Sequence, residues 1–312
     1  MVTLEKVREA AARLEGVAHH TPVMTSRAID ELAGRQLVFK CENLQKVGAF
    51  KFRGAWNAVA SLSDAEAARG VCTHSSGNHA QALALAAQMR GITAHIVMPE
   101  NVAPIKLSAV EGYGAAITMC EPTLEARETA LAKLLRESGA VLVHPYNDAR
   151  IIAGQGTAAL ELLAQAELAA IITPLGGGGL LSGTCIATRG TAPEVALYGA
   201  EPAGADDAAQ SLASGELVPQ LAPDTICDGL LTSLGELTWP ILRDHLTGII
   251  TVDDDAVRQA MQLLWKQMEL LVEPSGAIGL AAALSPGFQS DAQRVGVILT
   301  GGNVDLAKFF QE

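Results

Sequence analysis

The feature that most constrains the fold of this chain is a regular alternation of short β-prone runs with helical segments. In the first half, the predicted strands are Val71–His74, Thr93–Met98, Ala115–Met119 and Ala140–His144. The predicted helices between them are Asn78–Met89, Ile105–Glu111 and Leu124–Glu137. Strands that alternate with helices at this spacing pair in parallel, and the helices cover the faces of the sheet. The pattern therefore predicts an open parallel sheet.

The same alternation resumes in the second half. Its predicted strands are Ala170–Thr173, Val195–Ala200, Gly248–Val252 and Arg294–Leu299. Its predicted helices are Gly156–Gln165, Leu180–Arg189, Leu237–His245, Asp255–Leu270 and Ala277–Leu284. Because 312 residues exceed what one small core holds, we predict an α/β protein with two open, twisted, mostly parallel sheets in two domains.

Composition narrows the classes of partner. The chain has a formal net charge of -12 and is 49% hydrophobic and 18% charged. Nucleic acids and acidic membranes require a basic surface, so neither is expected as a partner, and no apolar run is long enough to cross a bilayer. The 5 cysteines are odd in number and widely spaced, which indicates reduced thiols. We expect a cytoplasmic protein.

Lys51 stands where a polar loop meets an alanine-rich helical pattern, between Phe50 and Phe52. Burial of a lysine disfavours its charged form and lowers its pKa, which makes the amine a nucleophile able to form a Schiff base. A lysine taken alone is more often a solvated surface group. The importance of Lys51 therefore depends on the other segments.

A run of four glycines follows a predicted strand and precedes a predicted helix. These residues are Gly176, Gly177, Gly178 and Gly179. Without Cβ atoms their N–H groups can converge on an anion beside the positive end of the helix dipole, which predicts a phosphate site. The spacing of Gly177, Gly179 and Gly183 is one residue too long for the dinucleotide fingerprint. Glu201, at the end of the next strand, could still bind a ribose, so a dinucleotide stays open.

A second strand-to-helix turn carries Ser75, Ser76 and Asn78. Two hydroxyls and an amide beside the free N–H groups of a helix start suit a carboxylate, and a plain N-cap needs only one of these residues. His79 belongs to the same turn, and a surface position is favoured for its side chain. Thr300 ends the last strand, at the edge where ligands of open α/β sheets collect.

Four chemical groups would thus meet at one sheet edge: an amine, a phosphate cradle, a carboxylate cradle and a neutral hydroxyl. This combination suits pyridoxal phosphate that binds an amino acid. The segments that carry it are Gly48–Ala55, Ser75–His79, Gly176–Gly179, Glu273–Ala277 and Thr300–Asp305. In this order they resemble the pyridoxal-phosphate enzymes of the serine/threonine dehydratase and serine racemase family, which have the tryptophan synthase β-type fold (fold type II).

The resemblance runs from about Val17 to the C-terminus. It implies a large coenzyme-binding domain of residues 1–61 and 147–312, with a small substrate-binding domain of residues 62–146 inserted in it. It also implies a homodimer. Trp56 and Tyr146 have no predicted role beyond packing.

The resemblance assigns the coenzyme contacts. Lys51 would hold the coenzyme as a Schiff base, Phe50 would pack near its ring, and the four glycines would bind its phosphate. Asn78 would hydrogen-bond the 3′-oxygen and Thr300 the pyridine nitrogen. Because a hydroxyl cannot stabilise a charged pyridinium, Thr300 favours β-elimination over transamination.

The resemblance also assigns substrate contacts. Lys51 would take the Cα proton, and Ser76 would face the opposite side of the coenzyme as a second catalytic acid or base. Ser75, Asn78 and His79 complete the predicted substrate-binding turn together with Ser76. Arg127, on a small-domain helix, could pair with a second substrate carboxylate, as in 3-hydroxyaspartate. The alternatives for Arg127 are a contact with Thr123, four residues earlier on the same helix, or a surface ion pair.

The segment from Glu201 to Asp207 resembles the divalent-metal loop of the family. Carboxylates of Glu201 and Asp207 and the carbonyl of Ala205 would bind Mg²⁺, Mn²⁺ or Ca²⁺, which all prefer oxygen ligands. A solvated acidic turn is the alternative.

The leading hypothesis is an ammonia-lyase that converts a β-hydroxy amino acid (serine, threonine or 3-hydroxyaspartate) to a 2-oxo acid and ammonia. Serine racemase activity is the second hypothesis within the family. From other classes, a dinucleotide-dependent oxidoreductase and a non-catalytic amino-acid-binding protein stay open.

Overall fold

The fold is that of a computed structural model, which describes residues 2–305 apart from the side chain of Ile105. Its strands are β1 Val23–Met24, β2 Gln36–Cys41, β3 Val71–His74, β4 Ala94–Pro99, β5 Ala116–Cys120, β6 Val141–Leu142, β7 Ala170–Pro174, β8 Ala196–Pro202, β9 Gly248–Val252 and β10 Arg294–Leu299. Its α-helices are α1 Leu4–Leu14, α2 Arg27–Ala33, α3 Lys51–Ala60, α4 Asp64–Ala67, α5 Asn78–Arg90, α6 Pro104–Gly112, α7 Leu124–Ser138, α8 Ala149–Gln165, α9 Gly179–Thr191, α10 Asp207–Ser214, α11 Thr238–His245, α12 Asp254–Met268 and α13 Pro274–Leu284.

The larger sheet has six strands in the order β1-β2-β10-β7-β8-β9. Only the short β1 is antiparallel among its described pairings; the other neighbours run parallel. Side chains of successive residues point to opposite faces: Phe39 packs with α12 and α13, whereas Val38 packs with α8 and α9. Helices therefore cover both faces, as a parallel sheet requires.

The smaller sheet has four parallel strands in the order β5-β4-β3-β6. Val71 and Ile96 face the core that includes α5, and Cys72 and Val97 face a smaller cluster that includes Leu131 of α7. The predicted α/β class with two mostly parallel sheets is thus confirmed. The domain boundaries stay a prediction, and residues 1 and 306–312 of the predicted large domain lie outside the described residues.

The predicted helix Gly156–Gln165 was too short, because α8 begins at Ala149 with Asp148 as its N-cap. Glycines lower helix propensity and so obscured its first turns. Close packing explains them: a Cβ on Gly154 would lie 2.6 Å from Cα of Gly54 in α3. The two helix backbones can approach this closely only with glycine at positions 54 and 154. Such a contact between distant segments leaves no signal in the local sequence pattern.

Other differences are smaller. The predicted strand Ala140–His144 is reduced to the two-residue edge strand β6, and the sequence pattern did not predict α2 or α10. The N-cap of α1 by Thr3, whose side chain accepts from the backbone N–H of Lys6, follows the usual rule. All five cysteines are free. Among residues 2–305, no helix is long and apolar enough to cross a membrane.

A buried ion cluster joins α3 to β2 of the larger sheet and to α8. The fully buried Arg53 guanidinium contacts Oε2 of Glu42 at 2.7 Å and Oε1 of Glu161 at 2.7 Å. The buried amine of Lys40 contacts Oε2 of Glu161 at 2.6 Å. Burial by itself would raise the pKa of Glu161, but hydrogen bonds from Arg53 and Lys40 hold that pKa below its usual value. Two cations and two carboxylates thus neutralise each other; the side chains of Lys40, Glu42 and Arg53 are fully buried, and that of Glu161 is 21% exposed.

Replacing Arg53 by methionine is expected to destabilise the protein by about 3 to 5 kcal/mol, because the buried Glu42 carboxylate would lose its cation and Glu161 would keep only Lys40. The matched control is Arg27→Met, which removes a surface ion pair with Glu31; the Arg27 side chain is 93% exposed. This variant should lose less than about 1 kcal/mol of unfolding free energy. Urea unfolding followed by circular dichroism measures both. Equal losses in the two variants would contradict a stabilising role for the cluster.

Candidate active site

Lys51 is the first residue of α3, and its amine is held inside the protein. Nζ donates a hydrogen bond to the carbonyl of Pro145 at 3.0 Å and lies 5.1 Å from the centroid of the Phe50 ring. Burial lowers the pKa of Lys51 to about 8, against the opposing attraction of Glu273. The amine is therefore partly neutral at mildly alkaline pH, as the sequence hypothesis requires.

The start of α3 is attached to the end of the last strand. The N–H of Phe50 donates to the carbonyl of Thr300 at 3.0 Å, and Ala49 forms an isolated β-bridge with Gly301. Lys51 and Thr300 are brought to one edge by these backbone bonds. The buried Thr300 hydroxyl donates to the carbonyl of Ser275 at 3.3 Å. This hydrogen bond is long, and rotation of the hydroxyl would let it donate to an acceptor of a ligand instead.

The four-glycine turn carries unused donors. Within residues 2–305, none of the N–H groups from Gly176 to Gly179 donates to a protein acceptor. Gly178 has a φ of 85°, in the left-handed region that favours glycine. A Cβ on Gly177 would lie 2.4 Å from the ring of Tyr146. Packing by Tyr146 is thus a second reason for glycine here, and the unpaired donors form a cradle that suits an anion.

The turn before α5 also leaves its polar groups unused for capping. Its N-cap residue is Gly77, with no side-chain cap hydrogen bond. Ser75 accepts only a 3.4 Å hydrogen bond from the N–H of Gly77, and the partly buried Ser76 hydroxyl has no hydrogen-bond partner among the described residues. These hydroxyls are consequently available to a ligand.

His79 differs from its expected surface position. The side chain is buried, and Nε2 lies 3.1 Å from the carbonyl of Val143, to which it donates. Burial lowers the pKa of His79 to about 3, and nearby Lys51 adds to the effect. The expectation missed that α5 is buried along most of its length, from His79 to Ala87, with Leu85 partly exposed. The neutral ring fastens α5 to the chain after β6 through Nε2, whereas Nδ1 is buried without a partner. The predicted substrate contact of His79 stays a prediction.

The sequence assigned no role to Glu273, the N-cap residue of α13. Its buried carboxylate accepts from Nδ2 of Asn78 at 2.8 Å and from the N–H of Asn303 at 3.2 Å. Burial raises the pKa of Glu273 to about 7, and Asp228 adds repulsion. The only sequence signal for this role of Glu273 is an acidic residue directly before a proline at the start of a helix. Asn78, predicted to bind the coenzyme, is thus held from behind by a carboxylate.

The turn that receives the Lys51 amine is braced by His144. Its Nδ1 accepts from the N–H groups of Tyr146 at 3.3 Å and Asn147 at 2.9 Å. Because backbone N–H groups only donate, Nδ1 carries no proton. Burial lowers the pKa of His144 to about 4, which agrees with a neutral ring. No sequence pattern indicated this role.

Arg127 lies on α7, and its Nε donates to the carbonyl of Thr123 at 3.2 Å. Its charge helps to lower the pKa of His74, after burial as the main cause. Because His74 directly precedes Ser75, the guanidinium lies in the neighbourhood of the substrate turn. The bond to Thr123 is the first of the two alternatives considered for Arg127. Within the described residues Arg127 forms no ion pair, so the second alternative is absent there.

The acidic loop after β8 brings three oxygen groups together. Glu201 accepts from the N–H groups of Ala208 and Ala209, each at 2.9 Å. Oδ2 of Asp207 is buried without a partner, and the carbonyl of Ala205 accepts no hydrogen bond in the described part of the chain. Burial raises the pKa of Glu201 to about 8, with Asp207 contributing repulsion.

This donor set fits a hard divalent cation, because carboxylate and carbonyl oxygens are its preferred ligands. In residues 2–305 no group of three or more histidine, cysteine or acidic side chains forms a metal cluster, so the carbonyl of Ala205 would be an essential ligand. Glu201 also spans two N–H groups of α10.

Comparisons with known proteins agree with this geometry. A family model described as pyridoxal-phosphate dependent enzyme matches residues 14–301. Serine racemase of Dictyostelium discoideum is 50% identical over 98% of this chain and 96% of its own length. Beta-hydroxyaspartate dehydratase of Paracoccus denitrificans is 48% identical over 98% of each chain.

The solved structure of T.th. threonine deaminase superposes with a TM-score of 0.92 at 42% identity, covering 97% of this chain and 99% of that one. The resemblance to dehydratases and racemases of fold type II is therefore confirmed. The chain belongs to the pyridoxal-phosphate dependent enzymes.

Proposed function

We propose that this protein converts a β-hydroxy amino acid to a 2-oxo acid and ammonia by α,β-elimination. The observation that carries the proposal is the partly buried Lys51 amine, which lies 3.0 Å from the Pro145 carbonyl, at the edge that also holds Thr300 and the four-glycine turn. When bound, pyridoxal phosphate supplies an electron-withdrawing ring that makes the Cα proton of an amino acid removable.

The chain's own residues would divide the work. The N–H groups from Gly176 to Gly179 would hold the phosphate. Lys51, whose pKa is lowered to about 8 by burial, would attach the coenzyme and then accept the Cα proton, since a base works best near the operating pH. Ser75, Ser76 and Asn78 would receive the substrate carboxylate at the start of α5, and Asn78 would also hydrogen-bond the 3′-oxygen of the coenzyme. Thr300, as a neutral partner of the ring nitrogen, would favour loss of the β-hydroxyl.

Racemisation is the second candidate, and Ser76 favours it. Its hydroxyl has no partner among the described residues and would present a second acid or base to the substrate. The racemase relative supports this alternative.

The substrate class includes dicarboxylic amino acids in this proposal. Arg127 forms no ion pair in the described chain and lies near His74, so it is available to a second carboxylate. The hydroxyaspartate dehydratase relative supports the same choice. The domain division, the homodimer and the cytoplasmic location stay part of the proposal.

The metal loop is also part of the proposal. Glu201, Ala205 and Asp207 would hold Mg²⁺, Mn²⁺ or Ca²⁺, with waters that complete the coordination. The support is the buried, unpartnered Oδ2 of Asp207. A cation there would fix the chain between β8 and α10, so we assign it a structural role.

The elimination is tested with L-serine, L-threonine and 3-hydroxyaspartate, with release of the 2-oxo acid as the readout. Lys51→Ala should lower turnover by about 10²- to 10⁴-fold, because it removes the base. Lys46→Ala, from the same loop, is the matched control and should keep activity. Borohydride reduction and peptide mapping should attach the coenzyme to Lys51. Turnover that survives Lys51→Ala would contradict the proposal, and D-serine measured beside pyruvate ranks racemisation against elimination.

The Lys51 amine is expected to become reactive near pH 8, because burial lowers its pKa to about that value. Above this pH the neutral amine dominates, so labelling of the coenzyme-free protein by an amine reagent should rise through pH 8. Mass spectrometry measures the pH of half-maximal labelling. Lys133, whose side chain is 68% exposed, is the comparison. A Lys51 midpoint at or above that of Lys133 would contradict a desolvated amine.

Removal of the cation by a chelator is expected to lower the thermal midpoint by roughly 5 °C, since a ligand at 100 times its Kd stabilises by about 2.7 kcal/mol. Asp207→Asn should abolish this response. Asp206→Asn is the matched control, because the Asp206 carboxylate is occupied by Gln210 at 2.7 Å. The same chelator response in Asp207→Asn and the parent would exclude the site.

A further inference from the structure

The loop that precedes Lys51 contains a strained residue. Val47 has φ 57° and ψ 16°, and it is one of two non-glycine residues with positive φ within residues 2–305; the other is Glu269. A β-branched side chain in the left-handed region is a genuine outlier, because Cβ crowds the following carbonyl. Such conformations persist only where the surroundings over-determine them.

The side chain of Val47 explains why glycine does not replace it. Val47 is partly buried and packs against the core formed by α3, α5 and the smaller sheet. Packing therefore favours valine while the backbone conformation favours glycine. Another interaction must hold the backbone in place.

Asn303 supplies that interaction. Its Nδ2 donates to the carbonyl of Val47 at 2.7 Å and to Oδ1 of Asn78 at 2.9 Å. The carbonyl of Val47 can only accept, so this orientation of the Asn303 amide is the one that satisfies both contacts. The next residue, Gly48, is also left-handed, and a Cβ there would lie 2.7 Å from Oδ1 of Asn303. The amide thus lies directly against the strained backbone.

The same side chain reaches the coenzyme-facing turn. Asn78 donates through Nδ2 to Glu273 at 2.8 Å, and Glu273 accepts the N–H of Asn303 at 3.2 Å. We call Val47, Asn78, Glu273 and Asn303 the Asn303 junction. It connects the loop before Lys51, the start of α5 beside the smaller sheet, and the N-cap of α13.

We propose that Asn303 is a positioning residue: it holds the strained Val47 backbone and the Asn78 amide in one arrangement, and so sets Lys51 relative to the start of α5. The inference goes beyond the proposed function but rests on it, because Lys51 and Asn78 matter only if they contact the coenzyme. Asn303 is 256 positions from Val47 and 225 from Asn78 along the chain, so only the fold brings the three together.

A double-mutant cycle tests this role. Asn303→Ala should weaken coenzyme affinity, measured by titration of the coenzyme-free protein, by about tenfold. Val47→Gly removes the strain, since glycine adopts positive φ without cost from Cβ. In the Val47→Gly background the loss from Asn303→Ala should therefore shrink by at least about threefold, because contacting residues couple.

Glu269 offers a matched control. It is the exposed C-cap residue of α12 with φ 56°, so Glu269→Gly also relieves a left-handed conformation. Asn303→Ala should cost the same affinity with or without Glu269→Gly, because Asn303 contacts nothing there. The urea midpoint, measured on the same proteins, separates lost affinity from lost stability.

Equal losses in the Val47→Gly and Glu269→Gly backgrounds, or an effect of Asn303→Ala below about twofold, would overturn the inference. Where Asn303→Ala does not fold, Asn303→Ser enters the same cycle. Borohydride reduction of the parent protein separates the two proposals. Coenzyme attached to another lysine contradicts the proposed function, whereas attachment to Lys51 without coupling contradicts only the role of Asn303.

Discussion

The buried contact between Arg53 and the carboxylates of Glu42 and Glu161 is the interaction on which the site depends. A guanidinium removed from water is tolerated only when carboxylates satisfy it, and two carboxylates surround this one at 2.7 Å. Because Arg53 lies two residues after Lys51 in α3, the cluster fixes the helix that carries the amine. The charges of the cluster therefore serve structure rather than chemistry.

Polar groups at the active edge show the opposite behaviour. The N–H groups from Gly176 to Gly179 and the hydroxyl of Ser76 lack acceptors or donors among residues 2–305. Proteins satisfy nearly all buried polar groups, so a cluster of unused ones at a single edge indicates a ligand. The ion cluster and the unpaired edge have different functions. The cluster fixes α3 and thereby the position of Lys51, and the edge leaves its polar groups available to a ligand.

Close packing, as well as binding chemistry, explains why glycine occupies particular positions in this chain. Gly177 must accommodate the ring of Tyr146, and Gly154 must accommodate Gly54 of the neighbouring helix. Glycine in such a motif therefore serves the approach of backbones and rings as well as the approach of an anion. The four-glycine turn could be recognised as a candidate phosphate site from its position between a strand and a helix. The glycines of α8 serve helix packing instead, and the sequence prediction of that helix was therefore too short.

The sequence by itself determined the two parallel sheets, because alternation of strands and helices is a local pattern that admits few arrangements. It also placed the glycine turn and Thr300 at strand ends, where parallel topology gathers them, and Lys51 at the start of a helix. Only the tertiary structure decided that His79 is buried, that His144 braces the Pro145 turn, and that Glu273 and Asn303 hold Asn78. Those roles arise from contacts between residues far apart in the chain, and burial and partners of this kind leave no local periodicity to read.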